Sequence, residues 1–384
     1  MRKIKLLLIY HNAGSNAAKS ILSSLGKHPL ITLRVLAPEG GWDPLNRRYV
    51  RTDNQITENY TLVTGKIYKS YKDFSKPYIW GLEKEIIRFK PDIIHVFYEA
   101  TSRIVLQALI YRKLFRPKAK VLYFGFENIF PDDWFVKPLT RRFYWKYVCN
   151  NIDGGAYANT EGLNRLIEMG LPAETSRVLY WGIPLENYNY TEPFDFKRKL
   201  GLTENFILGY VGRIEKAKGL NTVLKALEFL PDDTILFILG SGDYKNALNS
   251  KIDEKRLSKR VFLKERVPET EVGKYMSLFD ILVLPSETTT KWKEQFGRVI
   301  PEAMSCGIPV LGSDSGAIPE VIGDAGFVFN EGNHTNLAEN VSKVRLLDEN
   351  DRIDLKQRMH LRVTDHFSIE TFVEKLVELY SDIY

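Results

Sequence analysis

Short runs of apolar and β-branched residues recur along this chain, separated by amphipathic stretches, and the alternation occurs twice. In the first half the strand candidates are Ile4–Tyr10, Thr32–Leu36, Tyr60–Val63, Ile93–Phe97, Lys120–Phe124, Gly155–Ala158 and Arg177–Tyr180. Helical patterns lie between several of them, at Ile79–Phe89, Arg103–Leu114 and Glu161–Met169. In the second half the strands are Phe206–Val211, Thr234–Leu239, Val261–Leu263, Ile281–Leu284, Val310–Gly312 and Phe327–Phe329. Strands this short and this continuously apolar are buried on both faces, the property of parallel sheets covered by helices on either side. A length of 384 residues suits two such units better than one. The expected fold class is α/β, with two Rossmann-like domains facing a central cleft and ligands at the carboxyl ends of the strands.

The break is expected at Leu185–Glu204, a polar and aromatic stretch that contains Pro193 and precedes a fresh strand. It separates an N-terminal domain of residues 1–186 from a C-terminal domain of residues 187–368. The last segment, 369–384, carries Phe372, Val373, Leu376, Val377, Leu379 and Tyr380 at helical spacing. It reads either as the final helix of the second domain or as one that crosses back to pack on the first. The basic start MRKIKLLLIY offers five apolar residues before His11 and no small-residue cleavage site, so it reads as a buried strand and not a signal peptide. No stretch approaches the ~20 apolar residues of a bilayer span. Cys149 and Cys306 match no metal-ligand spacing and are expected as reduced thiols in a cytoplasmic protein. Charge is uneven: residues 1–190 hold 28 Lys and Arg against 17 Asp and Glu, and the remainder 26 against 31. The basic half either drifts from the mean or faces something anionic, a lipid headgroup or a phosphorylated acceptor. Its cations are scattered without a recognition motif, so nucleic acid is not expected as a partner.

Two segments carry chemistry. In Tyr210-Val-Gly-Arg-Ile-Glu-Lys-Ala-Lys-Gly219 an apolar strand ends at Gly212, where a bare backbone permits close approach. Arg213 offers a planar fork for phosphate oxygens and Lys218 a compact charge; taken alone, the loop is equally a solvated basic turn. The second segment, Glu294-Gln-Phe-Gly-Arg-Val-Ile-Pro-Glu302, places Glu294 in a loop and Glu302 two turns inside a helix that starts near Gly297. The backbone N–H groups of Phe296, Gly297 and Arg298 are then open to an anion. The bland alternative leaves Glu302 on the helix surface. A GSG turn at Gly240 and Gly242 lacks the third glycine of a dinucleotide fingerprint, which excludes NAD.

The G-R…K-G loop, the E-x7-E run leading into EAMSCGIPV, and ILVLPS at 281–286 together resemble the retaining, nucleotide-sugar-dependent glycosyltransferases of family 4, which have the GT-B fold. The resemblance is specific over the C-terminal domain and looser over the N-terminal one, through FKPDIIHV at 89–96. It implies that Arg213 and Lys218 hold the donor diphosphate, that Glu302 accepts from ribose hydroxyls, and that Glu294 sits beside the transferred sugar. By the same resemblance Phe296, Gly297 and Arg298 contact sugar and phosphate through the backbone, Val267 lies where main-chain groups hold the base, and Gly240 and Gly242 line the same pocket. Gly14, in the His11–Ser15 loop, stands where the family has glycine pairs; His11 itself reads better as a packing residue. After the fifth strand the family often has a histidine. This chain has Val121-Leu-Tyr-Phe-Gly-Phe-Glu-Asn128, so Glu127 or Asn128 takes that place or caps a helix, and Glu99 is a further strand-end candidate.

What the resemblance implies is transfer of a hexosyl group from a UDP- or GDP-sugar to a glycan or lipid-linked acceptor, with retention, in cell-surface polysaccharide or glycolipid synthesis. No D-x-D sequence occurs, in keeping with cationic side chains replacing a metal, and no cofactor or metal is expected. The competing class is a non-catalytic sugar-nucleotide-binding subunit that scaffolds an active partner. Lysines and arginines from Arg112 to Lys146 are interleaved with Phe130, Trp134, Phe135, Phe143, Tyr144 and Trp145. This mix suits peripheral contact of a cytoplasmic protein with an anionic membrane at its inner face, or a core-facing aromatic stripe under a solvated basic face.

Overall fold

The computed structural model describes residues 2–43, 48–68, 78–98, 103–129 and 138–384. The chain divides into two compact units, Met1–Gly182 together with Ile369–Tyr384, and Ile183–Ser368. In the first, β1 (Ile4–Tyr10), α1 (Asn16–Lys27), β2 (Ile31–Pro38), β3 (Tyr60–Gly65), α2 (Leu82–Phe89), β4 (Ile93–Phe97), α3 (Arg103–Phe115), β5 (Lys120–Gly125), α4 (Pro138–Asn151), β6 (Gly154–Tyr157), α5 (Thr160–Glu168) and β7 (Ser176–Val178) follow in order. The sheet runs β7-β6-β5-β4-β1-β2-β3, all parallel, with a short antiparallel edge strand at Gln55–Ile56. Every residue of β4 is buried, as a strand covered on both faces requires, His95 among them. The antiparallel pairs Gly40–Asp43 with Arg48–Arg51, and Ile67–Tyr68 with Tyr78–Ile79, had no counterpart in the periodicity. The pair at Tyr78–Ile79 shortens the helix expected from Ile79 to one that starts at Leu82.

The second unit holds α6 (Phe194–Leu200), β8 (Phe206–Val211), α7 (Leu220–Ala226), β9 (Thr234–Leu239), α8 (Lys245–Glu254), β10 (Val261–Lys264), α9 (Glu269–Met276), β11 (Ile281–Leu284), α10 (Val299–Ser305), β12 (Val310–Ser313), α11 (Ile318–Ile322), β13 (Phe327–Phe329), α12 (His334–Arg345) and α13 (Glu349–His366). Its six parallel strands run β10-β9-β8-β11-β12-β13. Both sheets therefore reverse direction beside their first strand, between β1 and β4 and between β8 and β11, which is the switch point where doubly wound sheets bind ligands. The stretch at 185–204 is not an extended linker. It contains a turn of 3-10 helix at Leu185–Asn187 and α6, and it is pinned to the second unit by the buried Tyr188, by Thr191 N–H on Ser277 Oγ (3.0 Å) and by Lys197 on Asp280 (3.4 Å).

The last helix, α14 (Ile369–Ile383), belongs to the first unit. Phe372 packs against Phe124 and Trp181 at 5.8 and 5.2 Å between ring centroids, and Arg177 pairs with Asp382 at 2.5 Å. The Tyr380 hydroxyl shares a 2.8 Å hydrogen bond with Nδ1 of His95 on β4, both side chains being fully buried. Burial pulls the His95 imidazole down to about 3, so the folded protein keeps it neutral where the unfolded chain takes a proton near pH 6.5. The stabilisation is complete above pH 6.5 and is lost as pH falls towards 3, by about 1.4 kcal/mol per pH unit. Unfolding free energies from urea titrations should approach that slope between pH 6 and 5, and a His95→Asn variant should lack that part of the pH dependence. Cys149 and Cys306 are free and buried, and burial pushes both thiols up to about 12.

Candidate functional site

Backbone packing beyond the ends of β8 and β9 explains the glycines of the second unit. Gly212 N–H donates to the Leu239 carbonyl (3.1 Å), Ile214 N–H to Ser241 (2.9 Å) and Tyr244 N–H back to Ile214 (3.0 Å), so the two loops continue the ladder after the strands end. A Cβ at Gly240 would lie 1.9 Å from the Gly212 oxygen, and one at Gly242 would lie 2.2 Å from the Ile214 oxygen. Only glycine fits at either place. The close approach expected at Gly212 is thus made first by its own neighbour strand.

At the β8/β11 switch point, the loop after β8 brings Lys218 to Glu294 in the loop after β11. Lys218 Nζ lies 2.7 Å from Glu294 Oε2, with both side chains about nine-tenths covered, and Ser286 Oγ donates to the same oxygen at 2.9 Å. Trp292 covers the lysine, its ring centroid 4.4 Å from Nζ. That tryptophan rides on a tight turn in which Thr289 N–H donates to the Trp292 carbonyl (2.7 Å) and Trp292 N–H donates to Thr289 Oγ1 (2.9 Å). Gly316, left-handed at φ 56°, packs a Cβ-less backbone on the Glu294 carbonyl, which accepts from Ala317 N–H at 3.0 Å. Both sides of the carboxylate are therefore fixed by backbone as well as by charge. Trp292 and Ser286 were not anticipated. Ser286 closes the ILVLPS run at 281–286 without a role marked for it, and the turn that lifts Trp292 is visible in sequence only as a polar loop.

Glu302 is buried, not a surface residue, and it lies one turn into α10 and not two. Gly297 at φ 74° delays the helix to Val299, and Pro301 sits in the first turn, where its missing N–H costs nothing. Tyr188 donates its hydroxyl to Glu302 Oε1 (2.9 Å), and Arg298 Nε lies 2.6 Å from the same oxygen. Arg298 also pairs with Glu269 at the start of α9 and donates to the Tyr188 oxygen at 3.2 Å. Burial raises the Glu302 carboxyl above its ordinary value, against the pull of Arg298 and of the Tyr188 hydroxyl. Burial works to lower Arg298, yet Glu302, Tyr188 and Glu269 together outweigh it and hold the guanidinium above its ordinary value. The Arg298 side chain, for which only a backbone role was expected, thus braces Glu302.

Arg213 is half-exposed and pairs with Glu215 at 2.7 Å, while its carbonyl accepts from the Tyr210 hydroxyl at 2.6 Å. Phe296 is buried against Phe367 (5.9 Å), and Val267 is half-buried between β10 and α9. In the first unit, His11 Nδ1–H donates to the Phe97 carbonyl (3.1 Å), the packing role favoured for it, at the β1/β4 switch point. A Cβ on Gly14 would meet only the tip of Thr52, at 2.9 Å from Oγ1, so the need for glycine there is soft. Glu127 Oε2 accepts from the hydroxyls of Tyr157 (3.1 Å) and Tyr123 (3.3 Å) and from Phe126 N–H (3.2 Å). Burial first, then the Glu127 charge, hold the Tyr157 phenol well above its ordinary value. Asn128 is buried beside it. Glu99 and the aromatic residues Phe130, Trp134 and Phe135 lie outside the described residues. Of the rest of that run, Trp145 is in the core and Phe143 is exposed.

Residues 192–361 match the family described as glycosyl transferases group 1. An N-acetyl-alpha-D-glucosaminyl L-malate synthase from Bacillus anthracis is 26% identical over 226 residues, 58% of this chain and 57% of the relative. The sulfoquinovosyl transferase SQD2 of Arabidopsis thaliana is 28% identical over 279 residues, 68% of this chain and 51% of the relative. The chain thus spans little more than half the length of these two relatives. Further relatives are named as glycosyltransferases of O-antigen and capsular polysaccharide biosynthesis. Among solved structures, Anabaena HepE in complex with UDP superposes with a TM-score of 0.75 at 17% identity, covering 99% of this chain and all of the other. The family match lies within the second unit, and the chain has the fold of the GT-B glycosyltransferases.

Proposed function

We propose that this protein is a retaining glycosyltransferase that moves a hexosyl group from a UDP- or GDP-sugar to a glycan or lipid-linked acceptor in cell-surface polysaccharide or glycolipid synthesis. The observation that carries the reading is the covered Lys218–Glu294 pair at the switch point of the second sheet. A cation and a carboxylate held together there supply one group for a leaving diphosphate and one for a developing sugar cation. HepE, solved with UDP, supports a nucleotide as the donor's handle. When the bond from the anomeric carbon to the phosphate oxygen breaks, charge grows on the diphosphate. Lys218 and Arg213 meet it without a metal, and Arg213 exchanges Glu215 for phosphate at little cost because both are half-exposed. The acceptor hydroxyl bonds to the anomeric carbon from the face the phosphate leaves, and its proton passes to the departing phosphate oxygen. Glu294 suits this course better than double displacement: with Oε2 already held by Lys218 and Ser286, its charge is compensated, which blunts a nucleophile but leaves an electrostatic brace. Glu302, braced by Arg298 and Tyr188, accepts from the ribose hydroxyls. Gly240, Gly242, Val267 and the Phe296–Arg298 backbone form the rest of the donor site.

Titration calorimetry with UDP, GDP and ADP tests this directly. One uridine or guanosine diphosphate should bind, and Arg213→Ala should weaken it about tenfold, the worth of one charge-assisted hydrogen bond. Absence of binding by folded protein would sink the transferase reading.

A further inference from the structure

Helices α3 and α4 pack side by side over the first sheet and send Val105, Ala108, Leu109, Trp145, Val148 and Cys149 into one core. Their opposite faces are not polar, as a solvated helix face would be. On α3, Ile110, Lys113 and Leu114 point outward; on α4, Phe143, Lys146 and Tyr147 do so at the same spacing, an apolar residue followed by lysine three positions on and a second apolar residue at four. The four apolar side chains are 42%, 65%, 67% and 47% exposed in chain order, and both lysines are exposed. Large apolar side chains gathered on one exposed face mark a surface that is covered in use.

Charge names the occupant. From Arg103 to Lys120 the sequence has six Lys and Arg and no Asp or Glu, and Pro138–Asn151 has three and none. Arg112 and Lys120 pair with Asp153 and Arg116 with Asp92, whereas Lys113, Lys118 and Lys146 stand exposed among the apolar side chains; that mix matches an anionic bilayer, where apolar side chains enter the headgroup boundary while lysines meet the lipid charge. We propose that the outer faces of α3 and α4 are a docking surface for an anionic lipid bilayer. Among the described residues no helix is long and apolar enough to cross a membrane, so the attachment is to the surface. It needs no donor and stands independently of the transferase reading.

Sedimentation of the full chain with vesicles of phosphatidylcholine, with and without phosphatidylglycerol, tests the proposal. Binding is expected to the anionic vesicles alone and to weaken with salt. Lys113→Gln/Lys146→Gln should lower partitioning about thirtyfold, near 1 kcal/mol per cation removed, and Leu114→Ser/Phe143→Ser about tenfold or more. The control Lys343→Gln/Lys356→Gln, which removes two exposed lysines of the other unit, should leave it unchanged. All six positions are at the surface, and unaltered circular dichroism confirms folding. Equal binding to neutral vesicles, equal loss in the control, or no sedimentation of the parent protein would overturn it, the last leaving the face to a protein partner.

Discussion

A Lys218→Ala variant should lose about 100- to 1000-fold in turnover of a nucleotide-sugar donor, the scale of removing one preorganised group that meets developing charge. It should also lose stability, because the covered Glu294 carboxylate would lose the cation it pairs with. Breaking a buried pair from one side costs about 3–5 kcal/mol, a figure near its lower end here, since about a tenth of each side chain remains exposed. The two effects separate in a double variant. Lys218→Met/Glu294→Gln removes both charges, so urea midpoints should recover most of the loss while turnover stays down. A drop in turnover below tenfold with an intact fold would remove Lys218 from the reaction. A double variant as unstable as the single one would show that packing against Trp292, not charge, explains the stability change.

The second large effect is expected at Gly219, which follows Lys218 and is left-handed at φ 69°. A Cβ there would fall 1.6 Å from the Pro285 carbonyl oxygen and 2.7 Å from its carbon. Both obstacles are backbone, part of the loop that leads to Glu294, so neither can rotate aside. Gly219→Ala should therefore destabilise the second unit by about 3–5 kcal/mol, as overpacking adds to the left-handed penalty. It should also pull Lys218 off Glu294 and lower turnover. Gly201, at φ 70° with nothing within 4 Å of its Cβ position, supplies the control. Gly201→Ala should cost only the conformational part, about 1 kcal/mol. Equal urea midpoints for the two variants would mean that the Pro285 contact yields without cost.

These sites differ in how far they could be read before folding. The strand cores at Ile4–Tyr10, Ile93–Phe97, Phe206–Val211 and Thr234–Leu239 were given by local pattern, since a parallel strand covered on both faces is apolar at most positions. The residues of the Gly212–Gly219 and Glu294–Glu302 segments were equally plain, because strand-end glycines, cations and carboxylates advertise their chemistry in one dimension. What joins those segments was not. Lys218 and Glu294 are 76 positions apart and Tyr188 and Glu302 are 114 apart, and Tyr188 comes from a stretch whose composition looked like a linker. Side chains on a helix divide between core and surface only when a sheet lies beneath one face, so the aromatic run of α4 stayed ambiguous until Trp145 went inward and Phe143 outward. The periodicity of α14 promised a buried face without naming its partner, and the choice fell to long-range packing of Phe372 on Phe124 and Trp181 and to the Tyr380–His95 hydrogen bond. Local pattern specifies what each segment must bury or offer; which segments meet is decided by cooperative packing over distances in the chain that no local period can encode.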